Sequence, residues 1–201
     1  MFLPPLRVLC KVSIKCYFCP NLATVSIHPE ILHKAKKIKA ILFDVDGVLT
    51  DGGIIYDNDG QEFKRFNVKD GQIIKYLRQY SILTGVITGR ASAVVKNRCE
   101  ELKIDVHYHG ISDKKAVFQK ILNERCLEAH EVAFIGDDIN DLPVLTRCGL
   151  GATPADGHEA VKARVDLVLD KKGGEGALRA LADLILKSKG HYDQIIEDLV
   201  L

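Results

Sequence analysis

The chain has 201 residues, 47% of them hydrophobic and 27% charged, with a formal net charge of +1. That length suits one well-buried domain and is short for two. Near-neutral charge removes the electrostatic case for nucleic acid or an acidic membrane as partner, and no uncharged apolar run approaches the roughly 20 residues of a membrane span.

Charge is nonetheless uneven. Residues 1–38 hold six Lys/Arg against one acid, Glu30, together with Cys10, Cys16 and Cys19. The remaining cysteines, Cys99, Cys126 and Cys148, are scattered, which suits a reducing cytoplasm better than a disulfide framework. Residues 1–37 are expected to form a leader outside the domain, and three identities compete for it. A secretory signal is interrupted by Lys15 and lacks a small-residue cleavage site, and an organelle transit peptide is acid-poor but richer in Ser and Arg. The third is an unstructured or misassigned start. Cys16-x-x-Cys19 has no second pair at zinc-finger spacing.

From residue 39 onward, short apolar runs at 39–43, 82–88, 104–107, 132–135, 150–153 and 166–169 read as strands. Helical patterns fall between and after them at about 71–80, 91–102, 113–125, 139–147, 157–164 and 175–189. Such alternation predicts an α/β domain with a parallel sheet covered by helices on both faces. In such sheets ligands sit outside the carboxyl ends of the strands. One stretch departs from the alternation: residues 54–66 flank the turn Asp57-Asn58-Asp59-Gly60 and read as a β-hairpin flap above that same edge.

The first strand ends in Phe43-Asp44-Val45-Asp46-Gly47. Alternation along a strand sends Asp44 and Asp46 to one side, about 6–7 Å apart. Two carboxylates on one edge repel unless a cation or proton shares the site. Phosphoryl transfer needs such a pair: one carboxylate attacks phosphorus, and a second carboxyl protonates the leaving oxygen and then deprotonates water. Strand two ends in Thr88-Gly89-Arg90, a hydroxyl and exposed amides suited to phosphate oxygens. Strand four ends in Gly136-Asp137-Asp138-Ile139-Asn140-Asp141. There Asp137 suits a hard cation, and Asp141 follows one helical turn on as support or outer ligand. Ser112-Asp113-Lys114-Lys115 opens a helix after strand three, where a lysine can neutralise phosphate. Each feature alone has a commonplace alternative, such as an Asx turn, a helix cap or a surface lysine. Together, at successive strand ends, they point to one site.

These four segments resemble, in order, the motifs of the haloacid dehalogenase superfamily of phosphohydrolases. The resemblance implies a Rossmann-like parallel sheet and a magnesium-dependent phosphatase. Asp44 would be the nucleophile and Asp46 the acid/base. Asp44, Asp137 and the Asp46 backbone carbonyl would hold Mg2+, while Thr88, Gly89 and Lys114 would hold phosphate. Lys115 is the alternative lysine, and Asp138 and Asp141 would support. Phe66-Asn67-Val68-Lys69-Asp70-Gly71, Arg98-Cys99 and Gly173-Gly174-Glu175-Gly176 narrow the resemblance to the capless 3-deoxy-D-manno-octulosonate 8-phosphate phosphatases, enzymes of bacterial lipopolysaccharide biosynthesis. It spans residues 38–190 and leaves 191–201 as a tail. It implies that Asp46, Asn67, Val68, Lys69, Asp70, Gly71, Lys75, Arg90, Arg98 and Lys114 meet the sugar-acid phosphate.

Spacing agrees with that subgroup. Only 44 positions separate Asp44 from Thr88 and 26 separate Thr88 from Lys114, which leaves no room for a cap domain. Since water exclusion favours phosphoryl transfer, the expected cover is a neighbouring subunit. The resemblance implies a cytoplasmic homotetramer with packed hairpins and C-terminal tails that close adjacent sites. Two alternatives stand beside it: a phosphatase of a nine-carbon sialic-type sugar 9-phosphate, and a non-catalytic tetramerising module of nucleotide-sugar synthesis.

Overall fold

The computed structural model describes residues 28–201. Six parallel strands form one sheet in the order β5-β4-β1-β6-β7-β8: β1 (Ala40–Phe43), β4 (Leu83–Ile87), β5 (Val106–Tyr108), β6 (Val132–Ile135), β7 (Leu150–Thr153) and β8 (Leu167–Val168). β1 lies at the centre, with Ala40 beside Leu83 of β4 on one flank and Val132 of β6 on the other. Alternation along β1 divides the core. Ile41 and Phe43 pack with residues of α1 (Pro29–Lys37), α2 (Val68–Gln79), α3 (Ala93–Leu102) and α7 (Ala177–Ser188). Ala40 and Leu42 face the other way, towards α4 (Lys114–Arg125), α5 (Leu142–Leu145) and α6 (Glu159–Lys162). Burial on both faces explains why these strands are almost wholly apolar.

The expected hairpin is present as a separate antiparallel pair, β2 (Ile55–Tyr56) and β3 (Glu62–Phe63). Asp57 shapes its turn by accepting hydrogen bonds from the Asp59 and Gln61 amides. Among the described residues no further domain stands over the sheet, and no helix is long and apolar enough to cross a membrane.

Several boundaries move for local reasons. Helix α2 starts three residues before the expected 71 because the Asn67 side chain caps it at the Lys69 amide. Strand β5 starts at 106 because Asp105 spends its carboxylate on the amide and hydroxyl of Thr84. The expected helix 139–147 divides into a single 3-10 turn at Ile139–Asp141 and the short α5, with Asp138 and Asp141 forming a capping box.

Both ends of the described chain carry helices where a leader and a tail were expected. Helix α1 has Pro29 in its first turn and buries Ala35 against the domain, and the following Ile38 is fully buried. Lys189 Nζ donates to the Lys36 carbonyl at 2.8 Å, linking α1 to the end of α7. Helix α8 (Tyr192–Val200) buries Ile195 in the same core. Cys10, Cys16 and Cys19 lie outside the described residues.

Candidate active site

Strand β1 delivers Asp44 to the carboxyl edge of the sheet. Its amide bonds to the Ile135 carbonyl at 3.0 Å, and its Oδ1 accepts from the Val45 amide at 2.7 Å. Gly47 follows with φ +82°, a left-handed turn that glycine adopts without strain. The turn also needs the missing side chain: a Cβ on Gly47 would fall 2.0 Å from Asp137 Oδ2. Glycine therefore lets the end of β6 press its carboxylate against the end of β1.

Lys114 enters from the first turn of α4 and is buried. Its Nζ donates at 2.6 Å to Asp44 Oδ2 and at 2.6 Å to Asp141 Oδ1. Asp141, fully buried, also accepts from the Asp137 and Asp138 amides at 3.1 and 3.4 Å. Lys114 is thus the lysine that reaches the acids, with Asp141 placed against it. Asp138 caps the 3-10 turn through the Ile139 amide at 2.7 Å.

The electrostatics reflect crowding. Burial, then the neighbouring carboxylates Asp141, Asp44 and Asp138, pushes Asp137 up to about 7. Burial followed by Asp44 raises Asp141 to about 6, against the pull of Lys114. Burial also raises Asp44, although Lys114 opposes it. Burial works against the Lys114 ammonium, but Asp44 and Asp141 outweigh it and hold its pKa above the ordinary lysine value. One carboxylate oxygen from each of Asp44, Asp137 and Asp141 lies within 4.8 Å of the others. Three hard oxygens this close together, all on groups driven towards protonation, fit a small divalent cation such as Mg2+.

A cavity of about 240 Å³ opens above these acids, lined by Asp46, Thr88, Gly89, Arg90 and Asn140 among others. Thr88 is held by its amide to the Tyr108 carbonyl at 3.0 Å and by its own carbonyl to the Ile111 amide at 3.0 Å. The Asp46 carboxylate turns towards the flap, where it pairs with the buried Lys64 ammonium. Arg90 lies 3.9 Å from Asp46 and donates at 2.9 Å to both Tyr56 Oη and Glu62 Oε1 of the hairpin. Glu62 also accepts from Ser92 Oγ, and that bond leads the causes that lower its pKa.

Lys64, Glu62, Asn140 and Gly47 were not among the expected site residues. Lys64 and Glu62 look like ordinary flap charges until hairpin register turns both towards Asp46 and Arg90.

Several residues expected to meet substrate do not line this cavity. Asp70 is buried, and its Oδ1 accepts from the Arg179 amide at 2.7 Å. Asn67, besides capping α2, donates to the Gly174 carbonyl at 3.1 Å. Gly71 packs so closely on Arg98 that a Cβ would lie 2.5 Å from its Nη2. Arg98 in turn pairs with Glu101 at 2.8 Å and lies over the Phe66 ring. Val68, Lys69 and Lys75 are exposed and do not line the cavity. Part of this segment is architectural: Asn67 and Asp70 meet 174–179, and Gly173 and Gly174 back the 44–50 turn. A Cβ on Gly173 would fall 2.1 Å from the Gly47 carbonyl, and the Gly174 amide donates to the Val48 carbonyl at 3.0 Å.

Residues 108–181 match the family model of haloacid dehalogenase-like hydrolases. The 3-deoxy-D-manno-octulosonate 8-phosphate phosphatase of Salmonella typhimurium is 39% identical over 150 residues, which cover 75% of this chain and 80% of the relative. The crystal structure of the enzyme of that name from Moraxella catarrhalis, in complex with magnesium, phosphate and KDO, superposes with a TM-score of 0.83. Identity there is 39%, covering 85% of this chain and 98% of that one. A cobalt-bound deoxy-D-mannose-octulosonate 8-phosphate phosphatase from Haemophilus influenzae gives a TM-score of 0.77 at 38% identity, covering 79% and 93%.

Proposed function

The chain belongs to the haloacid dehalogenase-like hydrolases and is a phosphoric monoester hydrolase, and on that premise we propose that it hydrolyses 3-deoxy-D-manno-octulosonate 8-phosphate through an aspartyl-phosphate on Asp44. The observation that carries the chemistry is the buried Asp44–Lys114 pair beside Asp137 beneath the cavity.

In this mechanism Asp44 attacks phosphorus, and the bond to the sugar oxygen breaks as Asp46 gives that oxygen its proton. Asp46 then takes a proton from water, whose oxygen attacks the acyl phosphate, releasing inorganic phosphate and restoring Asp44. Thr88 and the Gly89 amide donate to the phosphoryl oxygens, while Lys114 offsets their charge. Asp44, Asp137 and Asp141, with the Asp46 backbone carbonyl as a further oxygen donor, would hold Mg2+, which would offset the charge that otherwise repels phosphate from this acidic edge. Lys64 and Arg90 fix the Asp46 carboxylate on the flap side of the cavity, from which it serves the leaving oxygen.

Arg90 supports the sugar-acid assignment. Its guanidinium stands at the cavity rim, fixed by Glu62 and Tyr56, where a substrate carboxylate offers it a charge-assisted contact worth about 1.5–3 kcal/mol. The sugar acid is therefore expected to exceed glucose 6-phosphate in kcat/KM by at least about tenfold. Arg90→Ala should shrink that ratio more than it slows hydrolysis of a small aryl phosphate. Equal kcat/KM for both sugars would defeat the substrate while leaving the phosphatase standing. Including a nine-carbon sugar-acid 9-phosphate in the panel separates the nearest alternative.

The cover for this open cavity is a neighbouring copy in a cytoplasmic tetramer. Ile54, Ile55 and Tyr56 are each 55% exposed on the flap, an apolar cluster that suits burial against another hairpin. Replacing Ile54 and Ile55 with Asp should convert a tetramer in sedimentation to smaller species and raise KM. A monomer that is fully active before any substitution would contradict the assembly.

A further inference from the structure

Away from the carboxylate edge, a second group of ligating side chains lies between β5 and α3. His107 and His109 are two residues apart on an extended segment, so both point to one face. Val106 packs into the opposite core with Phe118 and Ile121, whereas Cys99 of α3 belongs to the core on the His side. Cys99 Sγ and one ring nitrogen from each histidine all lie within 4.8 Å of one another. His107 Nδ1 and His109 Nε2 are 2.9 Å apart, their rings edge to face. The remaining nitrogen of His109, Nδ1, is buried and has no hydrogen-bond partner.

A thiolate and two imidazoles form the donor set of a borderline-soft divalent ion. Tetrahedral zinc takes sulfur at about 2.3 Å and nitrogen at about 2.0–2.1 Å, which sets the donors roughly 3–4 Å apart. The three donors, within 4.8 Å of one another, need side-chain rotation to reach those distances. We propose that Cys99, His107 and His109 form a site for a zinc-class divalent cation, with water in the fourth position, that clasps the edge strand β5 to α3. On binding, the Cys99 thiol proton passes to solvent and both imidazoles enter neutral. Mg2+ does not compete, because it prefers all-oxygen surroundings. His109 stands five residues before Lys114, and the intervening Ile111 amide bonds to the Thr88 carbonyl. The clasp therefore steadies the segment that carries the phosphate lysine.

The test titrates the full chain with Co2+ in saturating Mg2+, with Zn2+ as competitor. The wild type should develop a thiolate-to-cobalt charge-transfer band that saturates at one equivalent and is displaced by Zn2+. The band should survive a Cys16→Ser/Cys19→Ser background and disappear in Cys99→Ser. His109→Gln, on a half-buried side chain, should weaken Co2+ binding by at least about tenfold and abolish the rise in Tm caused by Zn2+. No band in the wild type overturns the proposal, and so does wild-type affinity in His109→Gln. Should Cys99→Ser fold poorly, His109→Gln alone decides.

Discussion

Lys114 Nζ lies 2.6 Å from Asp44 Oδ2 where β1 meets the first turn of α4, with both side chains buried. Asp141 shares the same ammonium. Removing one member of such a group leaves an uncompensated buried charge, which typically costs about 3–5 kcal/mol. Lys114→Met should therefore unfold at a lower temperature at pH 7.5, and Mg2+ should restore more of its Tm than it adds to the wild type. Its kcat/KM should fall by about 10²–10³. Unchanged Tm without Mg2+ would show that the pair contributes nothing net to stability.

Asp44→Asn keeps the shape of the site and removes the attacking oxyanion. Turnover should drop by on the order of 10⁴-fold or more, because an amide cannot form the phosphoenzyme. Asp46→Asn should still be phosphorylated by an activated aryl ester, whose leaving group needs no proton. Rapid-quench detection of the phosphoenzyme distinguishes the two, and near-normal turnover by Asp44→Asn would sink the mechanism.

Asp70 gives a stability prediction that depends on pH. Burial raises its pKa from 3.8 to about 6, against the pull of the Arg179 amide, and Oδ2 has no hydrogen-bond partner. The folded state thus favours the protonated form. Its contribution is fully present below pH 3.8 and is lost as pH rises through about 6, leaving a cost of about 1–3 kcal/mol at neutral pH. Asp70→Asn keeps an acceptor for Arg179 and carries no charge. It should melt above the wild type at pH 8, with the gain gone near pH 4. A constant difference across that range would contradict the buried carboxylate as its source.

Glu62 holds the flap to the site by accepting from Arg90 and Ser92 and by an ion pair with Lys64 at 3.6 Å. Glu62→Gln should loosen that anchor. Hydrogen exchange of the hairpin amides should quicken, and KM for the sugar-acid phosphate should rise roughly tenfold, the scale of one lost charge-assisted bond. Hydrolysis of a small aryl phosphate should hardly change. A uniform loss on both substrates would mean that Glu62 acts on the chemistry instead.

The clustering of the acids and Lys114 was legible because they follow short apolar strands, and parallel strands bring their carboxyl ends to one edge whatever their spacing in the chain. Lys64 was not legible, since its pairing with Asp46 depends on hairpin register. Asn67 and Asp70 were legible as a motif, but the motif does not show that one caps α2 and the other faces inward to the Arg179 amide. Helix α1 was hidden because its lysine-rich sequence buries little beyond Ala35. Its fit depends on α7, far along the chain.

The loop at 173–176 backs the turn after β1 from the far end of the sequence. All the acids of the site, from Asp44 to Asp141, leave the ribosome before that loop does. A nascent or truncated chain ending before Gly176 thus carries the full reactive set without the buttress that fixes Gly47 and Val48. The turn that presents the acids is held from a segment more than a hundred residues away, so its geometry depends on the domain having closed around it.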